Sequence, residues 1–193
     1  MRRFSRFHAT LVLGAGGNSN RGRCTLWGHQ APPRTTGVHT PAPLECPVVE
    51  EIKKAAAERG RKLGVRYAGA LLPEEAHRLM QAGARLVDVR TRPEVVYVGR
   101  IPGAAAIEWQ TWPGNRPNPE FIAELAAIAD KDEPVMFICR SGARSHSAAD
   151  AAMQAGWREA YNVLEGFEGD KDEQQHRNTK NGWRKAGLPW TQT

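Results

Sequence analysis

From Pro47 onward, short apolar runs typical of strands alternate along the chain with segments whose apolar residues have helical spacing. Short apolar runs between turn or charged residues are typical of buried strands, and the run PVMFIC is typical of a strand covered on both faces. These runs predict strands at 85–90, 104–109, 134–139 and 160–166. Apolar residues at helical spacing predict helices at 47–64, 73–83, 92–99, 118–130 and 145–156, and a terminal helical turn at 182–189. The alternation predicts an α/β three-layer sandwich with a central, mainly parallel sheet flanked by helices.

Residues that favour helix ends support these boundaries. Pro73 occupies the first position of its helix, and Gly83 follows the last turn. Gly156 stops the helix 145–156, and Trp157 just beyond it is placed to pack back against that helix in a Schellman-type end. The polar segment 170–181, DKDEQQHRNTKN, has no periodicity and predicts a solvated loop.

The chain has a formal net charge of +6, but this charge is concentrated near its start. Residues 1–44 contain no acidic residue and six arginines, which are Arg2, Arg3, Arg6, Arg21, Arg23 and Arg34. The remainder carries equal numbers of acidic and basic residues, so we expect no nucleic-acid partner.

We interpret residues 1–46 as a disordered basic leader or extension, 47–64 as an N-terminal helix and 65–193 as the main domain. A signal or transit peptide is the alternative for the leader, although its apolar run is at the short end of the usual ~7–15 residues. No apolar run approaches the ~20 residues of a membrane span. We expect a cytoplasmic protein without a membrane partner, with periplasmic or organellar export as the alternative.

The cysteine pattern disfavours two kinds of site. Cys24, Cys46 and Cys139 form an odd set without a CxxC pair, which argues against a disulfide framework and against zinc. A reducing compartment is the simpler interpretation, and we expect no metal and no cofactor.

Cys139 stands where chemistry is expected. It ends a buried strand, and ligands of open parallel sheets bind at the carboxyl ends of strands. The next helix is predicted to begin near Ser145, with unpaired amides that favour an anion, and Gly142 permits the loop to curl. We therefore expect an exposed, ionised, nucleophilic sulfur beside an anion pocket, the alternative being a buried structural cysteine. The pocket would be formed by Arg140, Ser141, Gly142, Ala143, Arg144 and Ser145.

The segment CRSGARS resembles the active-site loop of rhodanese-type sulfurtransferases. Other segments resemble the family in the same order over roughly residues 66–190, namely LLPEEAHRLMQAGARLVDVR, GRIPGAAAI and YNVLEGFEG…GWRKAGLPW. Two features depart from the family pattern. Arg100 replaces a frequent histidine, and we assign it no catalytic role, while the polar segment 170–181 lengthens the closing part of the domain.

The resemblance implies a rhodanese-like sandwich and a sulfurtransferase that carries a persulfide on Cys139. Thiosulfate, or another persulfide donor, would supply the sulfur, and the acceptor would be cyanide, a cellular thiol or a sulfur-acceptor protein. The loop amides would stabilise the persulfide, and Arg140 and Arg144 would orient the anion. Asp88 and Arg90 would brace the site from behind, or they form a structural ion pair.

Two other functions remain as alternatives. Cysteine phosphatases place five residues between cysteine and arginine, and related arsenate reductases share the fold, whereas four residues separate Cys139 from Arg144. This tighter spacing favours sulfur transfer. A persulfide carrier module in a protein relay differs only in its acceptor.

We expect His146 to be a surface or packing residue, and Trp109 and Trp112 either to rim the pocket or to pack in the core.

Overall fold

The computed structural model describes residues 47–192, so the predictions for residues 1–46, including Cys24 and Cys46, lie outside the described residues. The described helices are α1 (Pro47–Leu63), α2 (Pro73–Gln81), α3 (Arg92–Tyr97), α4 (Phe121–Ala126) and α5 (Ala143–Gln154). The described strands are β1 (Gly69–Leu71), β2 (Arg85–Asp88), β3 (Ala105–Ala106), β4 (Gln110–Thr111), β5 (Arg116–Pro117), β6 (Val135–Ile138) and β7 (Ala160–Val163).

The main sheet has five strands in the order β1-β7-β6-β2-β3, and all of its pairings are parallel. β6 lies at the centre, between β7 and β2, so the loop that follows it emerges in the middle of the carboxyl edge. β4 and β5 form a separate antiparallel pair. The predicted α/β architecture with a mainly parallel sheet is confirmed.

Side chains of β6 alternate between two hydrophobic cores, one on each face of the sheet. Met136 and Ile138 pack in the core that includes residues of α1 and α2. Val135 and Phe137 pack in the other core, which includes residues of α4 and α5. Since all four residues are fully buried, the strand reads as a continuous apolar run, as the sequence predicted. The helices therefore form the two outer layers of a sandwich.

α1 packs closely against the edge of the sheet. Val49, Ile52 and Ala56 on its inner face are buried in the first core. The backbone of β1 approaches so closely that a Cβ added at Gly69 would lie 2.6 Å from the carbonyl carbon of Ala56. α1 is therefore an integral part of the domain.

The predicted end of α5 is confirmed. The amide of Gly156 donates to the carbonyl of Met153, and the amide of Trp157 donates to the carbonyl of Ala152, both at 3.0 Å, which is the Schellman pattern. The indole of Trp157 is buried in the second core. Segment 170–181 contains neither helix nor strand, also as predicted.

Other boundaries differ from the prediction. α5 begins at Ala143, two residues before Ser145, because Gly142 adopts a left-handed conformation and serves as the N-cap. β1 and the β4–β5 pair were not predicted, since strands of two or three residues are too short for a recognisable period. The run 104–109 contributes only Ala105–Ala106 to the sheet, at its edge.

Truncation of Ile52 tests the packing of α1. Ile52→Ala should lower the free energy of unfolding by about 2–4 kcal/mol, because it removes buried methyl groups and leaves a cavity. Val48→Ala, on the same helix, should change the free energy of unfolding by less than about 0.5 kcal/mol, because Val48 is 45% exposed. Urea denaturation measures both, and equal effects of the two substitutions would contradict the packing of α1 on the sheet.

Candidate active site

A cavity of about 480 Å³ opens at the carboxyl edge of the sheet, above the end of β6. Three parts of the chain form its walls: the loop from Cys139 into α5, the start of α3, and the β4–β5 region. The lining residues are Thr91, Pro93, Glu94, Gln110, Trp112, Asn115, Cys139, Arg140, Ser141, Ala143 and Arg144. Gly142 and Ser145, the other predicted loop residues, are buried behind this wall.

The sulfur of Cys139 accepts two hydrogen bonds. The backbone amide of Gly142 donates to it at 3.2 Å, and the hydroxyl of Ser145 donates at 3.3 Å. The prediction of an exposed sulfur is wrong, because Cys139 is only 1% exposed and the loop folds over it. Both donors direct positive dipoles at the sulfur.

The segment after β7 holds this loop from behind. The amide of Phe167 donates to the carbonyl of Cys139 at 2.8 Å, and the amide of Glu168 donates to the carbonyl of Arg140 at 2.9 Å. Gly142 has φ of +93°, and a Cβ added there would lie 1.8 Å from the carbonyl oxygen of Leu164. Only glycine fits this position, for both its conformation and its space.

Asp88 and Arg90 form a buried ion pair below the cavity. The carboxylate of Asp88 accepts from Nε of Arg90 at 2.9 Å and from Nη2 at 2.6 Å. The guanidinium also lies 4.0 Å from the ring centre of Phe167, whose amide holds the Cys139 carbonyl. Neither residue lines the cavity. Asp88 and Arg90 thus form a buried ion pair that touches the segment behind the Cys139 loop.

Arg144 is engaged by Glu94 of α3. Its Nη1 and Nη2 donate to the two carboxylate oxygens of Glu94 at 2.7 and 2.6 Å. Burial alone would raise the pKa of Glu94, but the hydrogen bonds from Arg144 and Thr91 and the charge of Arg144 lower it to about 2. The hydrogen bonds to Glu94 in turn raise the pKa of Arg144, against the effect of burial. The guanidinium of Arg144, which we expected to bind a donor anion, is therefore already occupied by the carboxylate of Glu94.

Sequence reasoning did not identify Glu94 or Phe167. Glu94 stands three residues after Thr91 and accepts hydrogen bonds from its amide and hydroxyl, at 3.0 and 2.8 Å, in a capping box. That spacing is visible in the sequence, but it predicts a helix start and gives no indication of Arg144. Phe167 carried no chemical signal, since it acts through a backbone hydrogen bond to Cys139 and through packing of its ring against Arg90.

Of the other residues singled out from the sequence, Arg140 and Trp112 line the cavity, whereas Trp109 and His146 do not. Arg140 is exposed and lines the cavity, and within residues 47–192 no ion-pair partner is found for it. Trp112 is 61% exposed and rims the cavity, whereas Trp109 packs edge-on against Phe121. His146 lies outside the cavity and contacts the hydroxyl of Tyr67, in agreement with a surface role.

Arg100 also lies away from the site. Its backbone pairs with that of Thr191, and its side chain is not part of the cavity wall. Across the described part of the chain, no three acidic, histidine or cysteine side chains are grouped so that they would hold a metal ion. Within the same residues, no helix combines the length and apolarity needed to cross a membrane.

Known proteins resemble this chain in sequence and in fold. Thiosulfate sulfurtransferase GlpE of Pseudomonas aeruginosa is 34% identical over 98 residues, which cover 51% of this chain and 79% of the relative. Uncharacterized protein RC0915 of Rickettsia conorii is 34% identical over 110 residues, which cover 55% and 82%. The crystal structure of Rv0390 from M. tuberculosis is 41% identical with a TM-score of 0.61, and the match covers 66% of this chain and 100% of that one.

The family model of the rhodanese-like domain matches residues 72–173, more than half of the chain. The match includes the cysteine loop, Asp88, Arg90 and Glu94, and it agrees with the resemblance seen in the sequence. The chain therefore belongs to the rhodanese-like domain family.

Proposed function

We propose that the protein is a sulfurtransferase that moves a sulfane sulfur from thiosulfate, or from a persulfide donor, to a thiophilic acceptor through a persulfide on Cys139. The observation that carries this proposal is the cradle of the Cys139 sulfur, which accepts hydrogen bonds from Gly142 and Ser145 at the floor of a cavity. A relative of this chain is a thiosulfate sulfurtransferase, which supports the same chemistry.

The reaction has two half-reactions. The thiolate of Cys139 attacks the outer sulfur of thiosulfate, a new S–S bond forms, and the bond to the sulfonate sulfur breaks. Sulfite leaves with the electron pair, so two negative charges depart and one stays on the persulfide. The acceptor then attacks the outer sulfur of the persulfide and takes it, and the thiolate of Cys139 is restored.

The residues around the sulfur suit this exchange. The donors from Gly142 and Ser145 stabilise negative charge at Cys139, and the free amides at the start of α5 point toward the same loop. Arg140, exposed at the cavity wall, offers a guanidinium to the oxyanion of the donor. Asp88 and Arg90 act indirectly, by supporting Phe167 behind the loop.

The short loop favours this chemistry over phosphate transfer. Only four residues separate Cys139 from Arg144, and Arg144 is engaged by Glu94 instead of facing the cavity with a free guanidinium fork. A phosphate ester needs a wider cradle with the arginine available.

In the cell, a thiol or an acceptor protein in a reducing compartment such as the cytoplasm would take the sulfur, while cyanide serves as acceptor in the assay.

Intact mass spectrometry tests the persulfide. Treatment of the full chain with thiosulfate should add the mass of one sulfur atom, and cyanide should remove it with release of thiocyanate. Cys139→Ser should show neither the added mass nor thiosulfate:cyanide activity, because the hydroxyl is a far weaker nucleophile.

Cys24→Ser and Cys46→Ser provide matched controls, and both should gain and lose the sulfur as the wild type does. Retention of activity by Cys139→Ser would contradict the proposal. Hydrolysis of an aryl phosphate by the wild type, without the mass gain, would favour a phosphatase instead. Slow turnover with cyanide but fast discharge to a protein thiol would identify the acceptor as a relay partner.

Substitution of Gly142 tests the cradle. Gly142→Ala should lower the rate of persulfide formation by at least about 100-fold, because its Cβ would collide with the carbonyl of Leu164 and displace the amide that binds sulfur.

Gly83→Ala is the matched control, because Gly83 also has positive φ, +103°, but nothing lies within 4 Å of an added Cβ. It should lose about 1–2 kcal/mol of stability and keep the wild-type rate of persulfide formation. The rate is measured by quenched-flow mass spectrometry, and stability by urea denaturation. A wild-type rate in Gly142→Ala would show that the amide of Gly142 has no part in the reaction.

A further inference from the structure

The cavity contains two arginines with different electrostatic environments. Arg144 is held by both carboxylate oxygens of Glu94, and the two side chains are each 19% exposed. Arg140 has no ion-pair partner within residues 47–192. Among the described residues, the loop therefore presents one uncompensated guanidinium to a ligand, and the neutral Glu94–Arg144 pair lies in the same wall.

We infer that Glu94 is a specificity-determining residue that makes this cavity prefer singly charged organic sulfur donors to the thiosulfate dianion. The inference rests on the proposed function, and it concerns the donor that the same site selects.

Charge is the first reason. Glu94 is ionised at any neutral assay pH, since its pKa is about 2, and it lines the cavity in which a donor must lie to reach the Cys139 sulfur. Because Glu94 neutralises Arg144, a donor with two negative charges finds the guanidinium of Arg140 as its counter-charge and still meets the thiolate. Partial burial of the cavity wall limits screening by solvent, so the second negative charge of such a donor stays uncompensated. A singly charged donor can be balanced by Arg140 alone.

Space and surface are the second reason. The cavity, of about 480 Å³, is several times larger than an anion of the size of thiosulfate requires, given that a water molecule occupies ~30 Å³ in the liquid. Trp112, 61% exposed, and Pro93 give the wall an apolar portion away from the cysteine loop. An organic group attached to the sulfur donor would cover these side chains and exclude water from them.

Thiosulfonates provide donors of matched chemistry. The thiolate of Cys139 attacks the terminal sulfur of R–SO₂–S⁻, the bond between the two donor sulfurs breaks, and the sulfinate R–SO₂⁻ leaves with the electron pair. The product on the protein is the same persulfide. Methanethiosulfonate carries one charge and a small group, and benzenethiosulfonate carries one charge and an aromatic ring.

The experiment measures kcat/KM for the three donors with cyanide as acceptor, because in a two-step exchange this quantity reports the donor half-reaction. The wild type should prefer methanethiosulfonate to thiosulfate. Glu94→Gln should raise the thiosulfate to methanethiosulfonate ratio by about tenfold, since Gln retains the capping geometry without the charge. Glu120→Gln, an exposed glutamate outside the cavity, makes the same change in net charge and should leave the ratio unchanged.

Trp112→Ala tests the apolar wall separately. It should reduce the preference for benzenethiosulfonate over methanethiosulfonate by about fivefold and leave the thiosulfate to methanethiosulfonate ratio unchanged. Thermal denaturation verifies that each variant is folded, and the added sulfur mass verifies that each forms the persulfide.

If the Glu94→Gln variant folds and forms the persulfide but keeps the wild-type ratio of kcat/KM for thiosulfate to kcat/KM for methanethiosulfonate, the inference is overturned and the proposed function stays intact. An equal rise of the ratio in Glu120→Gln would assign the effect to overall charge and also overturn it. Absence of the persulfide in the wild type with all three donors would instead contradict the proposed function.

Discussion

The contact between two backbone segments determines the geometry of this site. The loop after β6 is hydrogen-bonded by the amides of Phe167 and Glu168, and Gly142 lies against the carbonyl of Leu164. Because β6 and β7 are neighbouring parallel strands, their following segments leave the same edge of the sheet and meet there. The loop can therefore be short, and the amide of Gly142 and the hydroxyl of Ser145 point inward at the Cys139 sulfur.

Electrostatic pairing divides the charged residues near the sulfur into distinct roles. Arg90 is neutralised by Asp88 in the interior, where an unpaired charge would be strongly destabilising, and its flat guanidinium packs on Phe167. Arg144 is neutralised by Glu94 at the cavity wall. Arg140 is exposed, and no ion-pair partner for it is found within the part of the chain that the structure describes. The positive field expected from two loop arginines is thus reduced by the fold to that of one arginine and the amides at the start of α5.

The sequence was sufficient to predict the features that depend on local pattern. The apolar run ending at Cys139 identified the central strand, Gly156 with Trp157 identified the end of α5, and the segment CRSGARS identified the family. Features that depend on residues distant in the chain were not predictable in this way. Glu94 meets Arg144 across fifty positions, and the burial of the Cys139 sulfur follows from a loop closing over it. Two-residue strands such as β4 carry no period at all.

Because Cys139 is buried, the residues that hold its sulfur differ from the residues that line the approach to it. Cys139 is only 1% exposed, so in the proposed function a donor or acceptor would reach its sulfur through the cavity. The walls of that cavity belong to α3 and the β4–β5 region as well as to the loop. The loop holds the Cys139 sulfur in place through hydrogen bonds from the backbone amide of Gly142 and the hydroxyl of Ser145. The walls carry a charged side chain, Glu94, and a large exposed aromatic side chain, Trp112. In the proposed function, substitutions at Glu94 and Trp112 would therefore alter the choice of sulfur donor while the loop CRSGARS stays unchanged.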